Sequence, residues 1–313
     1  MNIGFLMDPI SQINIKKDTT FAMLLSSQER NWNNKIILPE NIWLQDGIAW
    51  ARVQSVKVFD DAKHFYELGE FEELPLVDLD VLLMRKDPPV DMEYIYLTYL
   101  LEQAESQGLL VLNKPSSLRD ANEKLFTSWF PQCCPKTLVT SQSDLILDFV
   151  DSVENAIIKP LNAMGGFSIF RLSANDPNHH VIIEIVTQRG TKKVMVQQFI
   201  PDIANGDKRI LLIDGEAVPY ALARVPARDD FRGNLASGAE GVVRELTDRD
   251  RWICEQVGPV LKKRGLLFVG IDVIGDYLTE INVTSPTCAR ELEASCDIDI
   301  VGDFLDVVEN ILV

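Results

Sequence analysis

The first 115 residues alternate short apolar segments with one amphipathic helix, and this order restricts the fold more than any other feature. Three short segments read as buried strands: residues 2–7, 81–84 and 109–112. Residues 93–107 have apolar side chains at helical spacing, and Gly108 stands where a helix commonly ends. A strand, a helix and a strand in this order form a βαβ unit with parallel strands. We therefore expect this part to be an open, mainly parallel α/β domain.

The chain changes character after residues 113–115 (Asn-Lys-Pro), which interrupt the alternation. Ser116 or Ser117 can cap a helix whose apolar side chains recur at helical spacing as far as Trp129. Farther on, short strands alternate with two helices. The second of these, residues 181–189, reads equally well as a strand.

The last hundred residues have an antiparallel pattern. Two apolar segments flank Asp214-Gly215, which is a strong signal for a two-residue hairpin. Residues 226–241 are polar and glycine-containing, and they are long enough for a mobile functional loop. The remaining predicted elements are a helix capped by Thr247, two strands over 266–274 and 278–283, and a helix from about 300.

Charge and cysteine content exclude several classes of protein. With 30 Lys+Arg against 47 Asp+Glu, the net charge of −17 disfavours binding to nucleic acids and to anionic membranes. No apolar run approaches the ~18 residues of a membrane span, and the start of the chain lacks the basic region of a signal peptide. Five scattered cysteines form no disulfide framework, and neither they nor the three histidines have zinc-site spacing. We expect a cytoplasmic protein without zinc.

Three oxygen-bearing side chains in the last predicted hairpin suggest a metal site. Glu280 and Asn282 lie two residues apart and so share a face of their strand. A three-residue loop over 275–277 would place Asp272 directly opposite Glu280, whereas a two-residue loop would place it on the other face. Two carboxylates and an amide are hard donors that suit Mg²⁺. The alternative is that these residues only mark a solvated face of the hairpin.

The setting of Asp272 weakens that alternative. The strand around it is nearly all apolar, so its carboxylate should be buried. A buried carboxylate is unfavourable by several kcal/mol unless it is paired or bound to a metal. No Lys or Arg lies nearby in the sequence, although a distant one can serve.

Cations and glycines elsewhere suggest phosphate binding. Lys159 ends an apolar strand and is followed by Gly165-Gly166, whose backbone N–H groups can cradle phosphate oxygens. The glycine pair alone is usually an ordinary turn, and the P-loop and dinucleotide-binding motifs are absent. Arg209 and Arg224 flank the Asp214-Gly215 turn, and a regular register pairs Arg209 with Tyr220 and leaves Arg224 beyond the paired segment. They can face one cleft or make surface ion pairs.

Six segments in order resemble the bacterial glutathione synthetases of the ATP-grasp superfamily. They are residues 84–89, 113–115 with 122–126, 158–161, 206–209, 232–236 and 279–287 (Thr-Glu-Ile-Asn-Val-Thr-Ser-Pro-Thr). The resemblance runs from residue 7 to about 293. It implies an ATP-grasp fold preceded by the open α/β domain, with boundaries at 1–121, 122–200 and 201–313.

The resemblance also implies an activity and a site. The family joins γ-glutamylcysteine to glycine through an acyl phosphate, with ATP as co-substrate and Mg²⁺ (or Mn²⁺) as cofactor, commonly as a homotetramer. Implied catalytic residues are Arg209 and Arg232, and implied metal ligands are Asp272, Glu280 and Asn282. Implied ATP-binding residues are Lys124, Lys159, Gly165, Gly166, Gln197, Gln198, Phe199, Ile200, Asp207 and Lys208. Implied substrate-binding residues are Arg85, Arg224, Asn234, Ser285, Pro286 and Thr287.

The chain departs from the family pattern at three places. Ala163 replaces a usual glycine, residues 228–230 replace a glycine-rich start of the long loop, and Glu240 replaces a common basic residue. Two other functions stay open: another ATP-grasp carboxylate–amine ligase, such as one for D-alanine dipeptides, and a non-catalytic ATP-binding protein.

Overall fold

The computed structural model describes residues 1–227, 233 and 238–313. Over that part of the chain, sixteen strands form three sheets, together with eight α-helices. Arg232, Asn234 and most of the predicted loop 226–241 lie outside the described residues. No helix among the described residues is both long enough and apolar enough to cross a bilayer.

The N-terminal sheet has seven strands in the order β3-β4-β2-β1-β6-β7, with β5 paired to β4. Its strands are β1 Asn2–Leu6, β2 Asn33–Ile37, β3 Ile42–Gln45, β4 Ile48–Val58, β5 Tyr66–Pro75, β6 Val81–Met84 and β7 Leu110–Leu112. Its helices are α1 Thr19–Glu29, α2 Met92–Ser106 and α3 Pro115–Asp120. The predicted βαβ unit is confirmed, because β6 and β7 are parallel and α2 connects them. The antiparallel strands β3, β4 and β5 were not predicted from the sequence.

The central sheet has four antiparallel strands in the order β10-β9-β11-β8. Its elements are β8 Thr137–Thr140, α4 Ser143–Val153, β9 Asn155–Pro160, β10 Phe170–Ser173, α5 His179–Val186 and β11 Val194–Gln198. The segment that read equally well as helix or strand is the helix α5. It packs Ile183 and Val186 against β9 and α4, in an apolar core separate from that of the other two sheets.

The C-terminal sheet is antiparallel, in the order β14-β13-β12-β15-β16. Its strands are β12 Asp207–Ile213, β13 Glu216–Val225, β14 Glu240–Glu245, β15 Phe268–Ile274 and β16 Tyr277–Asn282, and its helices are α6 Asp248–Lys263, α7 Ala289–Glu293 and α8 Ile300–Leu312. Thr247 caps α6 as predicted, in a reciprocal capping box with Asp250. The N-terminal and C-terminal sheets share two apolar clusters, and Phe268 and Phe304 pack together in one of them.

Two hairpin registers differ from the predictions, and in both the cause is a β-bulge. The turn between β15 and β16 contains two residues, so Ile274 pairs with Tyr277, which would put Asp272 on the wrong face. A bulge next to Asp272 inserts one extra residue and restores the Asp272–Glu280 pair. The predicted three-residue loop is therefore wrong, while the predicted face is confirmed.

The hairpin of β12 and β13 begins earlier than predicted. It starts at Asp207, and a bulge between Ile210 and Leu212 shifts the register by two residues. Arg209 therefore pairs with Leu222 rather than Tyr220, and Arg224 pairs with Asp207 instead of lying beyond the strand. Both arginines still point to the same face of the sheet.

The predicted helix over 116–129 is also wrong. Helix α3 ends at Asp120, and Leu125–Trp129 forms a separate 3-10 helix. Between them the chain leaves the helical path, and the Glu123 carbonyl accepts a hydrogen bond of 2.8 Å from the Ile281 N–H in β16. Pairing with a distant strand therefore outweighs the local helical pattern.

Candidate functional site

Asp272, Glu280 and Asn282 lie together on one face of the C-terminal sheet. Asp272 pairs with Glu280, and Asn282 pairs with Gly270 two positions along β15. The Asn282 side chain donates to the Asp272 carboxylate at 3.3 Å and to the Gly270 carbonyl at 3.2 Å. These bonds use the amide nitrogen, which leaves the amide oxygen as the group that can bind a ligand.

Buried arginines on the neighbouring strands hold the Asp272 carboxylate. Arg209 donates to its two oxygens at 2.5 and 3.1 Å, and Arg224 lies 2.9 Å from Oδ2. Burial by itself would raise the pKa of Asp272, but Arg209 and Arg224 outweigh it and hold this pKa well below its usual range. Asp272 is therefore ionised and fixed in place.

Arg224 has a second carboxylate partner in Asp207. Its Nη2 lies 2.5 Å from Asp207 Oδ2, while Asp207 Oδ1 is buried and has no hydrogen-bond partner among the described residues. Burial raises the pKa of Asp207 to about 6, although Arg224 opposes that shift. The orphaned oxygen is an acceptor that a bound molecule can use.

Two buried lysines approach the same face from the central sheet and from the segment before it. Lys124 Nζ lies 2.7 Å from Glu280 Oε1, and Glu280 keeps the pKa of Lys124 raised despite burial. Lys159 Nζ donates to the Thr279 carbonyl at 3.1 Å. Burial lowers the pKa of Lys159 to about 8, since none of its contacts is an ion pair among the described residues.

Two pockets meet at Glu280. The first, here called the lysine pocket, lies between the central and C-terminal sheets and is lined by nine of the ten residues predicted to bind ATP: Lys124, Lys159, Gly165, Gly166, Gln197, Gln198, Phe199, Ile200 and Asp207. The second, here called the arginine pocket, is lined by Arg209, Arg224, Glu280, Asn282, Ser285, Pro286 and Thr287. Glu280 borders both pockets.

Lys208 is placed away from the lysine pocket. Side chains alternate along β12, so Lys208 points to the face opposite Asp207 and Arg209. Its ammonium forms a buried ion pair with Asp250 and a 3.1 Å hydrogen bond to the Gly275 carbonyl. The structure thus gives Lys208 a structural partner and does not bring it to the predicted ATP site.

Arg85 is likewise outside the arginine pocket. It is buried and donates to the Pro286 carbonyl at 2.9 Å and to the Thr20 hydroxyl at 3.1 Å. Its guanidinium also lies over the Phe268 ring, 5.4 Å from the centroid. Arg85 therefore holds the backbone of the segment that lines the pocket, instead of reaching into it.

Some lining residues were not singled out by sequence reasoning. Met164 and Phe167, in the glycine loop, are 49% and 74% exposed and border the lysine pocket. Glu123 and Asp87 border the arginine pocket. Exposed apolar residues next to Gly165-Gly166 were a usable signal, but nothing in the local sequence indicated that Glu123 contacts β16.

The residues at the junction fit a hard divalent cation. Two carboxylates and an amide suit Mg²⁺, and Glu280 and Asn282 border the arginine pocket. Because Arg209 and Arg224 occupy Asp272, it would share its oxygens with them when it binds an ion. Within the described residues, no group of three or more His, Cys, Asp or Glu side chains could hold a metal. A metal ion here would therefore need the Asn282 amide oxygen in addition to the carboxylates.

Solved structures that are similar to this chain over nearly its whole length include ATP-grasp ligases. D-cycloserine synthetase DcsG superposes with a TM-score of 0.70 at 11% identity, covering 99% of this chain and 100% of that chain. The ATP-grasp ligase PsnB, complexed with a variant of its minimal precursor, Mg and ADP, gives a TM-score of 0.64 at 18% identity, covering 99% and 98%. At these identities the likeness shows the ATP-grasp fold.

Sequence comparison identifies the family. Residues 1–119 match the N-terminal domain of prokaryotic glutathione synthetase, and residues 123–297 match its ATP-grasp domain. Glutathione synthetase of Coxiella burnetii is 59% identical over 99% of this chain and 97% of its own length. That of Shewanella oneidensis is 54% identical over 99% and 98%. This chain is therefore a member of the prokaryotic glutathione synthetase family, on the ATP-grasp fold.

Proposed function

We propose that this chain is an ATP-dependent ligase that joins γ-glutamylcysteine to glycine and releases ADP and phosphate. The observation that carries the proposal is the position of Glu280, which borders both the lysine pocket and the arginine pocket, with Asn282 beside it in the arginine pocket. Such a junction suits a reaction in which a phosphoryl group passes from a nucleotide to a substrate carboxylate.

The lysine pocket would hold ATP. Lys124 and Lys159 reach into it from two directions, and the glycine loop at Gly165-Gly166 supplies backbone N–H groups for phosphate oxygens. Phe199 and Ile200 line the pocket and provide apolar contacts for the base. Charge stabilisation and positioning by such groups supply most of the catalysis in phosphoryl transfer.

The arginine pocket would hold the reacting carboxylate. The carboxylate of γ-glutamylcysteine attacks the γ-phosphorus of ATP, ADP leaves, and an acyl phosphate forms. The glycine ammonium then loses a proton, the resulting amine attacks the acyl carbon, phosphate leaves, and a second proton is lost as the amide forms. Arg209, fixed by Asp272, is placed to stabilise the negative charge that develops on the substrate oxygens.

Asp272, Glu280 and Asn282 would hold Mg²⁺, or Mn²⁺ in its place, which would supply positive charge to neutralise phosphate oxygens. The proposal keeps Arg232 as a catalytic residue and Asn234 as a substrate ligand from the family resemblance alone. The proposal also includes a cytoplasmic location and a homotetrameric assembly. Light scattering of the purified chain measures the subunit number.

The proposal is tested by phosphate release. ADP and phosphate should form only when ATP, γ-glutamylcysteine and glycine are all present, and mass spectrometry should detect glutathione. The Glu280→Ala variant should lower turnover by orders of magnitude, because it removes a carboxylate from the junction of both pockets. Turnover near the wild-type rate in this variant would reject the metal assignment.

The alternative ligase is tested in the same assay. A D-alanine dipeptide ligase would release phosphate with D-alanine alone and would not depend on γ-glutamylcysteine. A non-catalytic ATP-binding protein would bind ATP and release no phosphate with any substrate pair.

A further inference from the structure

The arginine pocket contains a carboxylate to which the proposed function assigns no role. Glu123 lies between α3 and the 3-10 helix Leu125–Trp129 and borders this pocket. Its Oε1 accepts hydrogen bonds from the Val283 N–H at 2.9 Å, from the Thr284 N–H at 3.1 Å and from the Thr284 hydroxyl at 2.9 Å. The side chain is therefore held rigidly at the end of β16.

The second oxygen of Glu123 has no such partners. None of the described residues donates a hydrogen bond to Oε2, and no lysine or arginine among them forms an ion pair with Glu123. Burial raises the pKa of Glu123, and the nearby Glu280 adds to that effect. A carboxylate in this setting gains from a cationic partner supplied by a ligand.

The other charges of the pocket are already paired. Arg209 and Arg224 are paired with Asp272 and Asp207, and Glu280 is paired with Lys124 of the lysine pocket. The carboxylates that remain without an ion pair in the described part of the pocket are Glu123 and Asp87. The two proposed substrates carry two ammonium groups, one on glycine and one on the glutamyl residue.

Position distinguishes the two carboxylates. Glu123 is hydrogen-bonded to the backbone of Ile281, Val283 and Thr284, in and just after the strand that carries Glu280 and Asn282. Asp87 is exposed, on the segment that follows β6 in the N-terminal domain. The incoming amine must reach the acyl phosphate at the junction, whereas the glutamyl ammonium lies at the far end of the other substrate.

We propose that Glu123 binds the ammonium group of the incoming glycine and so determines the amine specificity of the pocket. The inference rests on the proposed function and adds a residue to it. The hydrogen bonds to Oε1 fix the Glu123 side chain at the border of the arginine pocket, so the carboxylate is preorganised for a cation.

The test is the Glu123→Gln variant of the full chain. Gln keeps an oxygen acceptor for the Val283 and Thr284 N–H groups and removes the charge. The KM for glycine should rise by about 10- to 100-fold, as expected for a lost charge-assisted hydrogen bond, with a smaller change in the KM for γ-glutamylcysteine. A rise confined to the KM for γ-glutamylcysteine would overturn the assignment.

A second measurement separates amine binding from a structural role. Hydroxylamine, which is uncharged at neutral pH, can also trap the acyl phosphate and yields a hydroxamate. In Glu123→Gln, kcat/KM for glycine should fall relative to that for hydroxylamine by the same 10- to 100-fold factor. A ratio equal to that of the wild type would overturn the proposal, because general damage lowers both reactions together.

Asp87→Asn is the matched control, since it removes the same charge from the same pocket. An equal rise in the glycine KM of this variant would assign the effect to net charge and overturn the proposal. Failure of the proposed function is distinguished by the wild-type chain, which would then form no glutathione at all.

Discussion

The two pockets that meet at Glu280 use their cations differently. In the arginine pocket, Arg209 and Arg224 are bound by buried carboxylates at 2.5–3.1 Å. In the lysine pocket, Lys159 donates to a single carbonyl, and burial lowers its pKa to about 8. Among the described residues, both arginines of the arginine pocket are paired before any ligand binds, whereas the lysine pocket has a cation, Lys159, that still lacks a counter-charge.

This difference predicts that the cations of the two pockets have different roles. A paired guanidinium keeps its position through the reaction, and its removal would leave buried charges without partners. A buried ammonium without a counter-ion is unfavourable in the empty protein and gains most when an anion binds. We therefore expect substitutions in the arginine pocket to lower stability and substitutions in the lysine pocket to lower nucleotide affinity.

The largest effect should come from Asp272→Asn. Both guanidiniums would lose a carboxylate partner, so the free energy of unfolding should fall by about 3–5 kcal/mol. Urea denaturation of the ligand-free protein measures this. A loss below about 1 kcal/mol would mean that Asp207 alone can satisfy both arginines.

Lys159→Met should lower the affinity for ATP without lowering stability, in contrast to Asp272→Asn. It removes a buried ammonium that has no counter-ion in the described part of the chain, so the stability of the ligand-free protein should hold or rise, while ATP binding should weaken by about 10- to 100-fold. Isothermal calorimetry measures the affinity. The exposed Lys193, just before β11, gives the control Lys193→Met; an equal loss of affinity there would contradict the assigned role.

Gly270→Ala should show how closely Arg209 is positioned. A Cβ at Gly270 would lie 2.8 Å from Arg209 Cδ and 3.1 Å from Pro286 Cβ, so the arginine must move. We expect kcat to fall about tenfold with little change in ATP affinity. In the lysine pocket, the Cβ of Gly165→Ala would meet nothing within 4 Å, although its φ of +64° strains the new residue. Gly165→Ala should lower kcat less than Gly270→Ala does. A larger fall in kcat for Gly165→Ala would contradict the proposed difference between the two positions.

The smallest effect concerns pH. Burial favours the neutral amine, so the pKa of Lys159 lies at about 8 in the folded protein, below its ordinary value of 10.5. The ammonium is present below this pH and is lost above it. ATP affinity should therefore fall by up to about tenfold between pH 7 and pH 9.

Calorimetry in two buffers with different ionisation enthalpies should show proton uptake on ATP binding near pH 8. The unfolded chain binds more protons than the folded chain between about pH 8 and 10.5, so this lysine makes stability rise with pH in that window. Lys159→Met should abolish the proton uptake. Its persistence in that variant would assign it to another group.

The last hairpin shows how far sequence reasoning reached. The alternation of side chains placed Asp272, Glu280 and Asn282 on one face correctly. The length of the turn was wrong, and a bulge next to Asp272 compensated for it. A bulge leaves no clear mark on the apolar pattern, because it depends on how the strands twist and pack.

The partners of charged residues were the least predictable part of the site. Asp272 has no cation near it in the sequence, yet it is bound by residues 63 and 48 positions earlier, Arg209 and Arg224. Lys208 alternates away from its neighbours and pairs with Asp250. Arg85 is turned inward to the Pro286 carbonyl. Such partners come from strand order, which the local sequence does not encode.

By itself, the sequence determined the βαβ unit, the antiparallel hairpins, the capped helix α6 and the family, because these depend on local periodicity and on ordered motifs. Only the tertiary structure decided the two bulges, the break at Glu123 and the pairing of each buried charge. A buried charge must find its partner wherever the fold brings one, and that position is set by the packing of distant strands.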